Sequence, residues 1–406
     1  MRQRLLRDLN ISITSYVKNL YYEVWQSVKS YLVKIHIGQL KTDTLELEDL
    51  FSVSPDSGVV TSPAISGLSS NEDFIISQPN LVAIIRFGDH KYYVSCNKIE
   101  YPRSSIYILS VTGTDPENIN SAELADILIK EAIATSGYSK KILRIFYDEM
   151  SDRISLKILP PYRVKLKDIF IKEKDELRDF IEVVKKGGSS IKYLFVGEPG
   201  TGKTETIKAL LSECMEANSN LTSIVVDASC RVSLTTVIEY AQIFKPVLVC
   251  IDDIDLLVGS RDRFPHPSHL ASTLQILDGF LSTDEFYLIA TTNDRALLDW
   301  AVRRPGRFDY IMEFGPLDPQ FYPDLVLRET RDEKFAEIFK DPEVVKKLSS
   351  LKINGAFLVT LVRYLQRPRF SETKYSKKEV LEVLNRLFRA FKSELRSEES
   401  VGFKLV

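Results

Sequence analysis

The feature that most constrains this chain is an eight-residue run, Gly197-Glu198-Pro199-Gly200-Thr201-Gly202-Lys203-Thr204, placed directly after the apolar stretch Tyr193-Leu194-Phe195-Val196. A buried strand feeding a glycine-rich turn that opens a helix is the arrangement of a phosphate-binding P-loop. The residue types follow from the task. Glycines let backbone N–H groups turn inward and approach an anion closely. A helix opening at Lys203 adds its positive end, and the Lys203 ammonium reaches the outer phosphates. The Thr204 hydroxyl is then placed to ligate Mg²⁺. Ile207, Ala209, Leu210 and Leu211 continue with helical spacing. The alternative of an ordinary glycine turn leaves the lysine and threonine unexplained.

Three further elements follow in chain order. Val247–Ile251 reads as a buried strand ending in Asp252-Asp253. An acid at such a tip holds Mg²⁺ through its water shell, and a second acid beside it can polarise an attacking water. The bland alternative is a pair of aspartates capping a helix. A later strand ends Thr291-Thr292-Asn293, which puts an amide where it can orient that water. Then comes Arg303-Arg304-Pro305-Gly306-Arg307-Phe308-Asp309. A guanidinium from a neighbouring subunit stabilises a transferring phosphoryl group and makes hydrolysis depend on assembly. Taken alone, such a cluster reads as surface solvation.

The length of 406 residues leaves room for two or three domains. Net charge is −2, so no global field recruits nucleic acid or an anionic membrane, and a nucleic-acid partner is disfavoured. Cys96, Cys214, Cys230 and Cys250 form no C-x-x-C pair, which suits a reducing compartment and predicts a cytoplasmic protein. The sequence shows no signal peptide and no apolar run of membrane-spanning length.

The chain divides by pattern into five stretches. Residues 1–51 predict one long amphipathic helix over 1–36, with Val17, Tyr21, Val24, Val28, Tyr31 and Ile35 as its seam, then an acidic stretch. Three readings of that helix stand side by side: packed on its own domain, held for an oligomer or partner, or laid on a membrane surface. Residues 52–71 are rich in Ser, Gly and Pro and predict a flexible linker or loop. Residues 72–161 predict an α+β substrate or assembly domain: a hairpin about Gly88-Asp89-His90, a strand over 105–111, a helix capped by Ser121, and a second hairpin over 141–159. Residues 162–318 predict the α/β core, a doubly wound parallel sheet. Residues 319–406 predict a helical lid, with a capping box at Ser376 and Glu379.

Taken together, Gly197–Thr204, Ile251-Asp252-Asp253-Ile254-Asp255, Leu277-Asp278-Gly279, Ala290-Thr291-Thr292-Asn293 and Arg304-Pro305-Gly306-Arg307-Phe308-Asp309 resemble the AAA ATPases, over roughly residues 165–365. The resemblance implies a homo-oligomeric ring, commonly a hexamer, that binds ATP with Mg²⁺ between subunits and remodels, disassembles or translocates a protein partner. It makes Lys203 and Thr204 the Walker A pair, Asp252 and Asp253 the Walker B acids, Asn293 sensor 1, and Arg304 and Arg307 the arginine fingers. Gly355-Ala356 resembles the sensor-2 region beside the nucleotide.

Two departures bear on activity. The family's usual second Walker B acid is glutamate, and Asp253 is one methylene shorter. A misplacement of about 1 Å can cost about 100-fold in rate, so slow hydrolysis, and with it a nucleotide-gated scaffold, is the rival reading. Secondly, no aromatic–apolar–Gly tripeptide lies between Asp227 and Lys245, where threading relatives carry their first pore loop. The stretch over 105–113 and the hairpin at Ile145-Phe146-Tyr147 are similar to the domain preceding the AAA module in a mitochondrial chaperone type that translocates the folded Rieske iron–sulfur protein. That kinship implies folded cargo.

His266-Pro267-Ser268-His269 sits on a proline-interrupted loop with no nearby thiolate and reads as loop rather than metal site. No H-E-x-x-H occurs, so a fused metalloprotease is unsupported. The ending Phe403-Lys404-Leu405-Val406 lacks the penultimate tyrosine that proteasome-activating relatives dock with.

Overall fold

A computed structural model of the chain describes residues 14–53, 60–61, 65–68, 74–76, 80–101, 104–113, 119–150, 153–254, 284–293, 308–367 and 376–401. Residues 1–13 of the predicted N-terminal helix lie outside the described residues, and the described remainder is not one helix. Strand β1 (Thr14–Leu20) precedes helix α1 (Tyr22–His36), which begins only after Tyr21, whose backbone is extended. Thr14, Tyr16 and Val17 fit a pleated edge better than a helix. The apolar seam is helical from Val24 onward, where Val24, Val28 and Tyr31 are buried. Of the three readings, α1 takes the first: it packs on its own domain.

β2 (Glu46–Val53), β3 (Val60–Thr61), β6 (Leu81–Phe87), β7 (His90–Tyr101) and β8 (Ser104–Gly113) join β1 in a six-stranded sheet of order β1-β8-β7-β6-β2-β3. β4 (Ile65–Leu68) and β5 (Phe74–Ile76) form a separate two-stranded ribbon. The described part of the predicted linker is therefore strand. Its Ser52 and Val53 pair with Thr61 and Val60. α1 and helix α2 (Ile119–Ala134) belong to one core with the inward face of this sheet, where Val94, Cys96, Leu109 and Val111 are fully buried. Ser121 lies inside α2, which starts two residues earlier, so it is not the cap.

The parallel core follows. β9 (Ile142–Asp148), β10 (Arg153–Leu159), β11 (Ile191–Gly197), β12 (Thr222–Val226), β13 (Val247–Ile251), β14 (Phe286–Thr292) and β15 (Tyr310–Phe314) make a seven-stranded sheet of order β10-β9-β12-β13-β14-β11-β15. The hairpin β9–β10, expected in the N-terminal domain, instead extends this sheet: Ile142 to Arg144 pair in parallel with Ser223 to Val225. β15, directly after the arginine motif that ends at Asp309, has no counterpart among the strands predicted from the sequence.

Alternation along the strands separates two faces. Leu194, Val196, Ile224, Val226 and Ile251 share a core with α1, α2 and helix α5 (Leu234–Ile243). Tyr193, Phe195, Leu248, Cys250 and Ile289 pack with helix α3 (Lys174–Lys186) and helix α4 (Lys203–Ala217). The N-terminal domain and one face of the parallel sheet thus share one continuous core.

Glu23 rivets that junction. It is 3% exposed. Its carboxylate accepts from the Tyr240 hydroxyl on α5 at 3.1 Å and the Leu156 amide on β10 at 3.3 Å. Burial pushes its pKa up. Tyr21 stacks on Tyr240 with ring centroids 4.0 Å apart and donates to Glu239.

Helices α6 (Tyr322–Thr330), α7 (Glu333–Ile338), α8 (Pro342–Ser350), α9 (Gly355–Leu365) and α10 (Lys377–Val401) form an all-helical unit with its own core about Phe335, Phe339 and Leu361. The capping box is present: Glu379 N–H donates to Ser376 Oγ at 3.3 Å, and Ser376 N–H to the Glu379 carboxylate at 3.0 Å. Among the described residues no helix is long and apolar enough to cross a membrane.

Candidate functional site

Register decides which residues meet. β11 lies between β14 and β15, and Ile251 pairs with Ala290. The carboxyl ends of β11, β13 and β14 therefore open on one edge of the sheet, where open α/β sheets take their ligands. That edge carries Gly197, Asp252 and Asn293.

The loop after β11 bends as its glycines permit. Gly200 has φ +80°, and a Cβ there would lie 2.9 Å from the Ala356 Cβ. Gly202 has φ +106° and opens α4 directly. A side chain at either position would be strained. Lys203 follows, 5% exposed, and its ammonium donates to the carbonyls of Gly197 at 2.7 Å and Glu198 at 3.0 Å and to Asn293 Oδ1 at 2.8 Å. Gly197 and Glu198 thus act through their carbonyls, while Pro199, Gly200, Thr201, Gly202, Lys203 and Thr204 line a cavity of about 520 Å³.

The acids are set just as tightly. Thr204 Oγ1 donates to the Asp252 carboxylate at 3.0 Å. Thr291 Oγ1 donates to Asp252 Oδ1 at 2.6 Å and accepts the Asp253 amide at 2.9 Å. Asn293 Nδ2 donates to Asp253 Oδ1 at 2.6 Å. Asp253 holds φ +54°, in the left-handed region that aspartate enters more readily than most residues. One hydroxyl, that of Thr291, therefore fixes both the Asp252 carboxylate and the Asp253 backbone. Nothing in the sequence motif singled it out.

The lid closes the cavity from the other side. Gly355 and Ala356 line it, and the Ala356 amide donates to the Gly200 carbonyl at 3.1 Å. Asn354 caps α9 by accepting from Phe357 N–H at 2.8 Å and donates its Nδ2 to the Pro199 carbonyl at 2.9 Å. Asn354 was not anticipated either, although an N-cap before Gly355-Ala356 could have been read from the sequence. Asn354→Ala removes cap and latch together. A loss of about 1 kcal/mol in stability is expected, with a lowered thermal midpoint and a larger drop when nucleotide is present. An unchanged midpoint in both conditions would contradict the latch.

An apolar part of the wall has no counterpart in the sequence motifs. Ile169, Phe170 and Ile171, in the chain before α3, line the cavity together with Leu325 and Val359 of the lid. Arg328 lines it too, donating to the Asp168 carbonyl at 2.9 Å with its guanidinium 5.1 Å from the Phe170 ring centroid. Walls of this kind suit a flat ring system, with Lys203 and the loop amides available to charged oxygens.

The donor set suits Mg²⁺: a hydroxyl and a carboxylate in contact beside a phosphate-binding loop are hard oxygen ligands of the kind this ion takes, with phosphates supplying more. Among the described residues no group of three or more His, Cys, Asp or Glu could hold a metal alone. Arg304, Arg307, Leu277-Asp278-Gly279 and the His266–His269 pair lie outside the described residues, and so does Phe403–Val406.

Residues 193–316 match the family described as ATPase family associated with various cellular activities (AAA). Human ATPase family AAA domain-containing protein 2 is 31% identical over 151 residues, 34% of this chain and 11% of that protein. An Arabidopsis thaliana protein named as a probable inactive ATP-dependent zinc metalloprotease, FTSHI 5, chloroplastic, is 30% identical over 173 residues, 39% of this chain and 13% of its own length. The ATP-dependent zinc metalloprotease YME1L1 of Rattus norvegicus is 29% identical over 206 residues, 47% of this chain and 28% of its own. The matches span well under a third of each relative.

Proposed function

We propose, from the premise that residues 193–316 are an AAA ATPase domain, that this chain hydrolyses ATP as a homo-oligomeric ring, a hexamer, and spends the cycle remodelling a protein partner. One observation supports this above the others: Lys203, Thr204, Asp252, Asp253 and Asn293 converge by direct hydrogen bonds on a single cavity. Mg²⁺, when bound, neutralises developing phosphate charge. Lys203 and the loop amides hold the phosphates, and Thr204 and Asp252 hold the ion. Asp253 takes a proton from the attacking water, and Asn293, already bonded to Asp253, keeps that water in line. Gly355 and Ala356 press the lid against the loop.

A second reading is a nucleotide-gated assembly scaffold with very slow turnover. The short acid Asp253 favours it, and one similar protein is itself named as probable inactive. Steady-state phosphate release from the assembled particle separates the two, alongside its mass with and without ATP. Turnover below about one ATP per subunit per hour, more than about 1000-fold under the roughly 1 s⁻¹ lower end of typical enzymes, with ATP-driven assembly intact, selects the scaffold.

Arg304 and Arg307 are proposed to act across the subunit interface. Arg307→Ala is expected to leave ATP affinity within about threefold while hydrolysis falls at least about 1000-fold, the scale of an arginine finger. Mixing this variant with Lys203→Ala subunits should restore some turnover only if the arginine acts in trans on a neighbour's site with an intact Lys203. Because each protein contributes one defective element, complete silence at every mixing ratio would oppose a ring of shared sites.

The names of the metalloprotease relatives do not extend to this chain, whose sequence holds no H-E-x-x-H. Buried, unbridged Cys96, Cys214, Cys230 and Cys250 support the proposal of a cytoplasmic, reducing location.

A further inference from the structure

A second cavity, of about 540 Å³, lies where the N-terminal domain, the β9–β10 hairpin and the segment between β12 and α5 come together. Tyr21 and Tyr22 at the start of α1, Tyr107 of β8 and Tyr147 of β9 supply aromatic walls, and Arg153 of β10 and Arg231 supply charge. Tyr22 meets Tyr107 edge-on at 5.1 Å between centroids, and Trp25 backs Tyr107 at 5.0 Å. These rings are already packed and offer a firm surface.

The charge of this cavity is one-sided. Among the described residues no carboxylate lines it. The Arg153 guanidinium lies 3.7 Å from the Tyr22 ring centroid, and its buried Nε has no hydrogen-bond partner. Glu23 lies outside the cavity lining, with its oxygens already accepting from Tyr240 and Leu156. Arg231 pairs with Glu149, and the two side chains are 69% and 67% exposed. Such a pair is worth little in solvent and exchanges easily for another carboxylate.

Arg231 is also held in place. It sits at φ +52° after a turn that Asp227 caps, and Arg144 donates to Asp227 at 3.2 Å and to Ser229 at 2.6 Å. This is the segment in which the sequence lacks a gripping aromatic–apolar–Gly tripeptide. The aromatic surface stands beside it instead, on the N-terminal domain.

We infer that this cavity binds an acidic, aromatic-bearing stretch of polypeptide from a protein partner, an inference that rests on the reading of the chain as acting on proteins. Guanidiniums recognise carboxylates in a planar, two-pronged way, and tyrosine and arginine are the side chains that carry most binding energy at protein interfaces. A second nucleotide is a poorer fit, since among the described residues no glycine lines the cavity to bring backbone amides onto phosphates. The overall charge of −2 draws no anion by itself, so any preference for acid is local.

The test uses the full chain without nucleotide, with a fluorescent random copolymer of glutamate and tyrosine as probe, at physiological salt. The Glu–Tyr copolymer is expected to bind, and a Lys–Tyr copolymer and polyglutamate to bind at least about tenfold more weakly. Arg231→Asn keeps a residue at home in left-handed backbone on an exposed site, and should weaken binding about tenfold; Arg153→Met should do the same. No binding of the Glu–Tyr copolymer, equal binding of the acidic and basic copolymers, or wild-type affinity in Arg231→Asn overturns the assignment. Because no ATP is present, such a failure leaves the ATPase reading standing. A chain that binds the copolymer but never releases phosphate fails the other way.

Discussion

Lys203→Ala will lose ATP affinity by at least about 100-fold and show no measurable phosphate release, while its circular dichroism stays that of the parent. The size of the effect follows from where the ammonium sits. It is nearly buried and meets two loop carbonyls and the Asn293 amide oxygen, all within 3.0 Å. A cation held there is desolvated in advance, so its attraction for a phosphate is much stronger than in water. Removing it takes away the charge and also the strut that spans the P-loop and the end of β14. Lys203→Arg is no rescue, since the planar fork cannot satisfy the same acceptors at that depth. Titration with a fluorescent nucleotide checks this. Affinity within about threefold of the parent would remove Lys203 from the phosphate site and, with it, the P-loop assignment.

How much of this is legible in the sequence depends on range. The P-loop, Asp252-Asp253 and Thr291-Thr292-Asn293 each follow a short apolar strand, so strand and tip were read together from local pattern. Their convergence is a matter of parallel register, and the strand–helix alternation already implied it. What escaped was set by distant pairing. Residues 14–20 have a helical-looking seam, yet an antiparallel partner ninety-odd positions later claims them as strand, Tyr16 facing Val111. The β9–β10 hairpin was seen as a hairpin, but hydrophobic alternation cannot say which sheet a hairpin joins; parallel pairing of Leu143 with Ile224 decided it. The wall formed by Ile169, Phe170 and Ile171 carries no motif at all, because an apolar surface for a flat ring needs only shape. Thr291 and Asn354 work through hydrogen bonds to residues nearly forty and more than one hundred and fifty positions away. No local pattern encodes such bonds.

The sharpest division between a working enzyme and a slow scaffold lies at Asp253. Asp253→Asn keeps the oxygen that accepts from Asn293 and so preserves the local geometry, but it cannot take a proton. Phosphate release should fall about 100- to 1000-fold with ATP affinity nearly unchanged, the range expected for loss of a general base. Asp253→Glu is the more telling change. Glutamate is the family's usual residue, and in the loop's own frame it should be the worse one. The Asp253 carboxylate is already in contact with Asn293 at 2.6 Å, its backbone sits at φ +54°, and Thr291 pins its amide. An added methylene must push the carboxylate past that contact or turn it aside, on a backbone conformation that aspartate tolerates better than glutamate. A displacement of about 1 Å predicts a loss of roughly tenfold or more in turnover. That outcome would mean the backbone has compensated for the shorter acid and the site is built to hydrolyse. A gain in turnover would mean the opposite: the carboxylate of Asp253 falls short of the water it should polarise, and the chain's natural state is a nucleotide-held assembly that rarely fires.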